Sequence, residues 1–221
     1  MRTAVLACPT IRDELTKAEE KVGSGFDFHY LDKSLHNFPD RLRVQIQSKL
    51  DVLSGYNRVL LAFGFCGNAV AGLRAGDYEM ILPRVDDCTA MLFGSVEGRE
   101  RAMEGHRDIF MTRGWIDGGA WEEYEETMKR HSPEVADEAF RLMYSAYDRL
   151  DIVDTRAYDL DEVMERAEIL SRAFHLELVV KQGGVGYFER FLTGPWDDQG
   201  LYIRVPPHGV LDESQLTLEL H

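Results

Sequence analysis

Residues 61–73 read LAFGFCGNAVAGL, and this stretch decides how the chain is interpreted. The apolar run Val59–Phe63 leads into it, and Cys66 is followed at once by Gly67 and Asn68. A short apolar run bounded by glycine predicts a buried strand, so the thiol should lie in a tight turn at the strand's exit. Open α/β sheets bind their ligands at the carboxyl ends of strands, and we therefore expect Cys66 to belong to a functional site.

Composition excludes several classes of protein. The 221 residues are 44% hydrophobic and 10% aromatic, which is enough for a packed core. A net charge of −14 and a pI near 4.9 argue against nucleic-acid binding, because phosphate contacts need a basic face. The N-terminus lacks the features of a signal peptide, and no apolar run approaches the roughly 20 residues of a membrane span. We expect a soluble cytoplasmic protein with a small-molecule substrate and no membrane partner.

Strand and helix patterns alternate along the chain. We predict helices over about 11–22, over a segment opening with Pro39 and closing at Gly55, and over 159–173. The predicted strands cover 3–8, 26–32, 58–65, 78–83, 151–155, 176–181 and 200–205. Such alternation is typical of βαβ units with parallel pairing. We therefore predict a single α/β domain over residues 1–221, a Rossmann-like three-layer sandwich whose mostly parallel sheet is flanked by helices. Residues 107–119 resemble a loop, and a charged helical insertion is expected near 120–150, with outer bounds of about 116–150.

Three cysteines fall at or just beyond predicted strand ends: Cys8, Cys66 and Cys88. Parallel strands end at one edge of a sheet, so the three thiols can meet although they are distant in sequence. Cys8 and Cys88 also stand where helices begin, which favours thiolate over thiol. Thiolates select zinc or iron–sulfur clusters, and three protein ligands leave one coordination position open. Simple burial of each cysteine as a small hydrophobe is the alternative.

Other residues near these strand ends are candidates for the same site. His36 lies in the turn after the second predicted strand. Three roles are open for it: a fourth ligand to the metal, a proton donor, or a hydrogen-bonding residue at the start of the next helix. Arg84 offers a charge that binds anions, and Asp87, like Asp86, is either a helix N-cap or a general base. Gly67 and Asn68 are the candidate cofactor-binding residues.

A glycine-rich stretch later in the chain is a weaker candidate. Gly183, Gly184 and Gly186 are predicted to form a loop, with a phosphate cradle as the less favoured interpretation because the GxGxxG spacing is absent.

Four motifs carry a resemblance to a known family: LAFGFCGNAVAGL, LPRVDDCTAMLFGS, TRGWI and SLHNFPDRLR. The chain resembles the family catalogued as domain of unknown function 1638, from AVLACPTI to TGPWDDQGLYIRVPPHG. On this resemblance the family's cysteines fall on Cys8, Cys66 and Cys88, and its LH turn on Leu35 and His36. Pro9 is a departure, since many members are expected to carry glutamate there.

The resemblance implies a context rather than a reaction. Members look associated with corrinoid-dependent methyltransferase systems, although this chain lacks a DxHxxG corrinoid-binding motif. We therefore expect a metalloprotein serving one-carbon metabolism, in which zinc acts as a Lewis acid on a thiol or small substrate while Asp87 or His36 handles protons. A [4Fe–4S] protein with a redox or lyase role is one alternative. The other is a metal-free accessory protein that binds a corrinoid protein or methyltransferase subunit through the acidic helix at 120–150. Whether the protein is an enzyme stays open.

Overall fold

A computed structural model describes residues 1–31, 35 and 38–218 of the chain. The strands, numbered in chain order, are β1 Thr3–Ala7, β2 Asp27–Tyr30, β3 Arg58–Ala62, β4 Glu79–Pro83, β5 Asp108–Met111, β6 Arg149–Asp154, β7 Glu177–Gln182 and β8 Tyr202–Val205. The α-helices are α1 Arg12–Val22, α2 Pro39–Val52, α3 Cys88–Leu92, α4 Val96–Met103, α5 Arg113–Trp115, α6 Trp121–Arg130, α7 Pro133–Met143, α8 Asp161–Phe174 and α9 Gly186–Thr193. Shorter helical turns cover Pro9–Ile11, Ile116–Ala120 and Glu213–Gln215. None of the helices among the described residues is long and apolar enough to cross a bilayer.

The strands form two sheets, which confirms a mixed α/β fold. The first sheet has the order β2-β1-β3-β4-β8, with β8 antiparallel to β4 and the other pairs parallel. The second has the order β5-β6-β7 and is entirely parallel. The expectation of one mostly parallel sheet is therefore corrected. A parallel strand buried on both faces reads as continuous apolar sequence, as β1 and β3 do, and this is why those strands were recognisable.

Strand β5 was not predicted from the sequence. Residues 107–119 looked like a loop, yet Asp108–Met111 pairs with β6. The strand opens on a buried aspartate, Asp108, whose carboxylate accepts hydrogen bonds from Arg149 Nε at 2.9 Å and Nη2 at 2.6 Å. The ion pair joins residues 41 positions apart, and no local pattern announces it. Burying a charged side chain is unfavourable unless the charge is paired. Asp108 of β5 can therefore be buried only because Arg149 of β6 pairs with it.

Helices α6 and α7 connect β5 to β6. Parallel neighbours need a long crossover, and these helices supply it, so the charged segment predicted near 120–150 is the connection within the second sheet. Its outer face is exposed as expected, but Ala136 and Phe140 are buried. Phe140 packs against Phe174 of α8 with ring centroids 5.4 Å apart and the rings tilted by 38°, and both belong to the second sheet's core. The larger core surrounds the first sheet. The chain therefore has two hydrophobic cores, one for each sheet. That residues 1–221 form a single domain stays a prediction.

The carboxyl ends of the two sheets meet. Thr112, just after β5, donates its hydroxyl to the carbonyl of Thr10, just after β1, at 3.1 Å. A Cβ on Gly114 would lie only 2.2 Å from that same carbonyl oxygen, so the backbones are in direct contact. After β7, Gly184 donates its N–H to Leu92 at the end of α3, at 2.9 Å. Groups that follow strands of either sheet are thus brought to one junction.

Glu14 is buried at this junction. Thr155, which follows β6, donates its hydroxyl to Glu14 Oε1 at 2.9 Å. Oε2 is buried and has no hydrogen-bond partner among the described residues. Burial raises the pKa of Glu14 to about 7, a neighbouring Asp13 carboxylate adds to the rise, and Arg113 opposes it. The carboxyl group therefore favours its neutral form in the folded protein.

The segment after β3 runs along the segment after β4. Phe65 donates its N–H to the carbonyl of Val85 at 2.9 Å, and Cys66 to that of Asp86 at 2.8 Å. The two backbones come so close at Gly64 that an added Cβ would lie 2.4 Å from backbone atoms of Asp87. Only glycine fits this position, because backbone atoms cannot move aside as a flexible side chain can.

Replacing Glu14 with glutamine should flatten the pH dependence of stability. In the wild type the unfolded chain ionises first, so the free energy of unfolding falls as the pH rises from about 4.5 to about 7. The predicted loss is roughly 3 kcal/mol, and an amide at this position cannot contribute to it because it does not ionise. Urea unfolding below and above this window measures the slope. The control is Glu20→Gln, an exposed carboxylate on the same helix. A Glu14→Gln slope equal to that of the wild type would contradict the assignment.

Replacing Gly64 with alanine should destabilise the fold by roughly 2–3 kcal/mol, since the new methyl group must push two backbone segments apart. Gly186→Ala is the matched control, because a Cβ there meets open space at the start of α9. Chemical denaturation of both variants gives the comparison. Equal stability of the two would show that the segments can separate without penalty.

Candidate functional site

Cys66 lies in an unusual backbone conformation. Its φ is +47°, and Gly67 and Asn68 follow with φ of +65° and +64°. Left-handed conformations are disfavoured for residues with a Cβ and persist only where the surroundings impose them. Here the N–H of Cys66 is fixed to Asp86, and its carbonyl accepts the N–H of Ala69 at 3.3 Å. The predicted tight turn is present, four residues beyond the end of β3 rather than directly at it.

The three predicted cysteines come together. The Sγ atoms of Cys66 and Cys88 are 3.9 Å apart, and the thiol of Cys88 also interacts with that of Cys8. Cys8 Sγ lies 3.0 Å from the hydroxyl oxygen of Thr10. None of the three is in a disulfide bond; Cys8 and Cys88 are buried, and Cys66 is partly exposed. Access to the group from solvent is therefore on the side of Cys66.

The pKa of the Cys88 thiol is raised well above its ordinary value. The largest cause is the adjacent Cys66 thiol, and burial adds to it, while the Cys8 thiol and a backbone hydrogen bond at Gly64 act in the opposite direction. The sequence favoured a thiolate here because Cys88 begins a helix. That expectation is corrected: α3 is a single short helix of 5 residues, and its dipole is outweighed by burial and by the neighbouring thiol.

A complete metal-binding set is not preformed. Within residues 1–31, 35 and 38–218, no group of three or more His, Cys, Asp or Glu side chains is arranged to hold a metal ion. The site provides a close pair of sulfurs from Cys66 and Cys88, and the Cys8 thiol interacts with Cys88 and with the Thr10 hydroxyl. His36, predicted as a fourth ligand or proton donor, lies outside the described residues.

Asp87 and Asp86 are held by an arginine that sequence reasoning missed. Asp87 Oδ1 caps α3 by accepting from the backbone N–H groups of Thr89 and Ala90 at 2.8 and 3.2 Å. Arg99 of α4 donates to Asp87 Oδ2 at 2.8 Å and to Asp86 Oδ2 at 2.6 Å. Of the two roles considered for Asp87, the geometry shows the N-cap, and its role in proton transfer stays a prediction. Only the fold brings Arg99 to these carboxylates, since nothing in RVDDC points to it.

Arg84 holds the C-terminal segment. Its Nε donates to the carbonyl of Gln199 at 2.8 Å, and its Nη1 to those of Gln215 and Thr217 at 2.8 and 2.9 Å. These contacts fix the guanidinium at the wall of a cavity of about 530 Å³. Tyr187 of α9 lines the same cavity, and it was not among the sequence candidates.

Gly67 and Asn68, the predicted cofactor-binding residues, are in contact with other parts of the fold. A Cβ on Gly67 would lie 3.3 Å from the ring of Pro39. The carbonyl of Asn68 accepts a hydrogen bond from Arg43 at 3.0 Å, and its amide donates to Glu213 at 3.1 Å. Their position beside Cys66 is as predicted, and their role in binding stays a prediction.

The glycine-rich stretch is only partly a loop. Gly183 and Gly184 precede α9, but Gly186 is its first residue, which corrects the predicted loop at that position. A side chain on Gly183 would collide with Val153 and with the carbonyl of Leu92, so this glycine serves close packing at the junction of the sheets.

Comparison with known proteins identifies a family for the chain. A search of curated proteins and a search of solved structures find no significant similarity to the chain. The family model described as Protein of unknown function (DUF1638) matches residues 30–192, a range that includes Cys66, Arg84 and Cys88 but not Cys8. Because the match covers well over half of the 221 residues, the chain belongs to the DUF1638 family.

Proposed function

We propose that Cys8, Cys66 and Cys88 bind a zinc ion through three thiolates and leave its fourth position open. The observation that supports this most is the distance of 3.9 Å between the Sγ atoms of Cys66 and Cys88. Two thiolates on one zinc ion, each at about 2.3 Å, place their sulfurs about 3.8 Å apart at the tetrahedral angle. The pair can therefore share an ion without backbone movement.

Cys8 completes the set by a local rearrangement. Its thiol already interacts with Cys88, and its Sγ lies 3.0 Å from the Thr10 hydroxyl oxygen. Exchanging the Thr10 contact for the ion makes Cys8 the third ligand. A zinc ion also reduces the disadvantage of buried thiolates, because its two positive charges offset two of the three negative charges left when the thiols lose their protons.

The same distance disfavours a [4Fe–4S] cluster. Cysteines that ligate a cubane bind different iron atoms at separate corners, so their sulfurs lie farther apart than sulfurs that share one ion. A pair separated by 3.9 Å would have to open before a cluster could enter. We therefore place the cluster second, and colour distinguishes the two, since a zinc protein is colourless and a cluster protein brown.

A zinc ion with an open position supplies Lewis acidity to a bound thiol or small substrate. The residues of this chain would hold the ion and shape its surroundings: Gly64 and the turn at Cys66 fix the sulfur pair, and Arg99 fixes the loop before Cys88 through Asp86 and Asp87. The link to methyl transfer and to a corrinoid partner derives from the family resemblance alone and stays a prediction.

Two finer predictions belong with this proposal. We infer a cytoplasmic location, because reducing compartments disfavour disulfides and Cys8, Cys66 and Cys88 form none. The three-layer Rossmann-like sandwich is kept as a proposal for the first sheet, whose four parallel strands have the order β2-β1-β3-β4 found in the flavodoxin-like type of doubly wound fold.

Cys66→Ser should lose more metal than His36→Ala. The sulfur of Cys66 is positioned by a fixed turn, and a neutral serine hydroxyl is a much weaker zinc ligand than a thiolate. Water can replace His36 if it is the fourth ligand, and if it only supports a ligand its loss should weaken binding roughly 10–100-fold. Elemental analysis of protein purified under reductant measures the zinc content, with about one ion per chain expected for the wild type.

The matched control is a double charge reversal, Glu122→Lys with Asp137→Lys, on the exposed face of α6 and α7. This variant should keep its zinc, because the proposed centre does not use this acidic face. The accessory-protein alternative does need this face. Metal-free wild type that binds no added zinc under reductant would refute the centre. So would a Cys66→Ser variant with full zinc content.

A further inference from the structure

Cys66 and Cys88 face each other across two backbone segments that hydrogen bonds hold together. Cys66 donates its N–H to the carbonyl of Asp86 at 2.8 Å, and the Sγ atoms of the two cysteines lie 3.9 Å apart. A disulfide can join two cysteines only when their side chains point toward each other over a short distance. Sulfurs this close meet that condition, so the pair is positioned to form a covalent bond.

The two cysteines differ in their access to solvent. Cys66 is partly exposed and is followed by the exposed residues Gly67 and Asn68, whereas Cys88 is only 1% exposed. Oxidation of a thiol depends on its exposure, and cysteines that sense oxidants often lie beside a second cysteine that resolves the first product. An oxidant in solution therefore reaches Cys66 first, and Cys88 is the neighbour that can resolve it.

Cys8 is less suited to either role. It is 1% exposed, and its Sγ lies 3.0 Å from the hydroxyl oxygen of Thr10. Its thiol also interacts with that of Cys88, so a bond between Cys8 and Cys88 is the competing product. Both partners of that bond are buried, however, and neither meets an oxidant before Cys66 does.

We infer that Cys66 and Cys88 form a site of reversible oxidation, at which a hydroperoxide is reduced and a disulfide is made. In the first step the sulfur of Cys66 attacks the hydroperoxide. An S–O bond forms, the O–O bond breaks, and the thiol proton leaves with the second oxygen as an alcohol or as water. In the second step the sulfur of Cys88 attacks the sulfenic acid on Cys66. The S–S bond forms, the S–O bond breaks, and the hydroxyl group leaves as water with the proton of Cys88. The two thiols together supply the two electrons that the hydroperoxide accepts.

The charge of the protein favours an uncharged oxidant. The chain carries a net charge of −14, and Asp86 and Asp87 come just before Cys88. A negative protein opposes the approach of anions. Hydrogen peroxide and small alkyl hydroperoxides are neutral at physiological pH, so this field does not exclude them. We therefore assign the oxidant to the hydroperoxides.

The inference rests on the proposed function only in its consequence for zinc. A bond between Cys66 and Cys88 takes two of the three proposed ligands, so a bound ion would be released on oxidation. A bound ion would in turn protect the pair, because its ligands are no longer available to the oxidant. The disulfide itself needs no metal, and a thiol reductant reverses it by exchange.

The experiment treats the full chain, first reduced and freed of metal with a chelator, with a small excess of hydrogen peroxide. The remaining thiols are then blocked with N-ethylmaleimide under denaturing conditions. Trypsin places the three cysteines in separate peptides, 3–12, 59–74 and 85–99. We expect mass spectrometry to find 59–74 joined to 85–99 and the blocked thiols to fall from three to one. Dithiothreitol should restore all three.

Three variants assign the roles of the cysteines. Cys88→Ser should leave Cys66 as a sulfenic acid that dimedone labels on peptide 59–74, because the resolving thiol is gone. Cys66→Ser should lose its thiols roughly tenfold more slowly than the wild type, since the two that remain are buried. Cys8→Ser is the matched control and should form the same disulfide as the wild type.

The inference is overturned if the treated wild type keeps all three thiols, joins peptide 3–12 to 85–99, or links separate chains to each other. Loss of thiols from Cys66→Ser at the wild-type rate would also overturn it. Failure of the zinc proposal is recognised separately. A chain that binds no zinc but forms the disulfide refutes only the metal centre, and one that binds zinc but forms no disulfide when metal-free refutes only the oxidation site.

Discussion

The candidate site depends on two backbone hydrogen bonds, from Phe65 to Val85 and from Cys66 to Asp86. They extend the pairing of β3 and β4 beyond the last regular residues of the strands and carry Cys66 alongside the start of α3. Without them the segment that carries Cys66 would not be held against the start of α3, and the distance between the sulfurs of Cys66 and Cys88 would not be fixed. The close approach requires a residue without a side chain at position 64, which is why a glycine and a strained cysteine turn occur together.

The sequence was informative where burial is continuous along the chain. Strands β1 and β3 are buried along nearly their whole length, so their apolar runs were visible and their bounds were predicted within a few residues. Because parallel strands end at a common edge, the meeting of Cys8, Cys66 and Cys88 could be predicted as well. β5 could not, since its first residue is an aspartate whose burial depends on Arg149, and the pairing of a short strand is decided by distant partners.

Site residues that act through long-range contacts were beyond local patterns. Tyr187, which lines the cavity beside Arg84, lies in a stretch that reads as a glycine-rich loop, and only the fold shows it as part of a buried helix. The sequence identified Arg84 as a candidate anion-binding charge. Its guanidinium is held by backbone carbonyls more than 100 positions away. Because every residue has a carbonyl, the sequence does not show which ones accept these hydrogen bonds. The N-cap role of Asp87 was among the alternatives, whereas its partner Arg99 was not.

The overall charge of −14 bears on the proposed zinc ion at two ranges. A negative protein attracts cations, which favours the arrival of zinc at the thiols. At physiological salt, however, charges separated by more than about 8 Å are largely screened, so an ion bound at the thiols would respond mainly to the groups beside it. Asp86 and Asp87, which precede Cys88, are already paired with Arg99. The affinity of the proposed centre for zinc would therefore come from its sulfurs rather than from the neighbouring carboxylates.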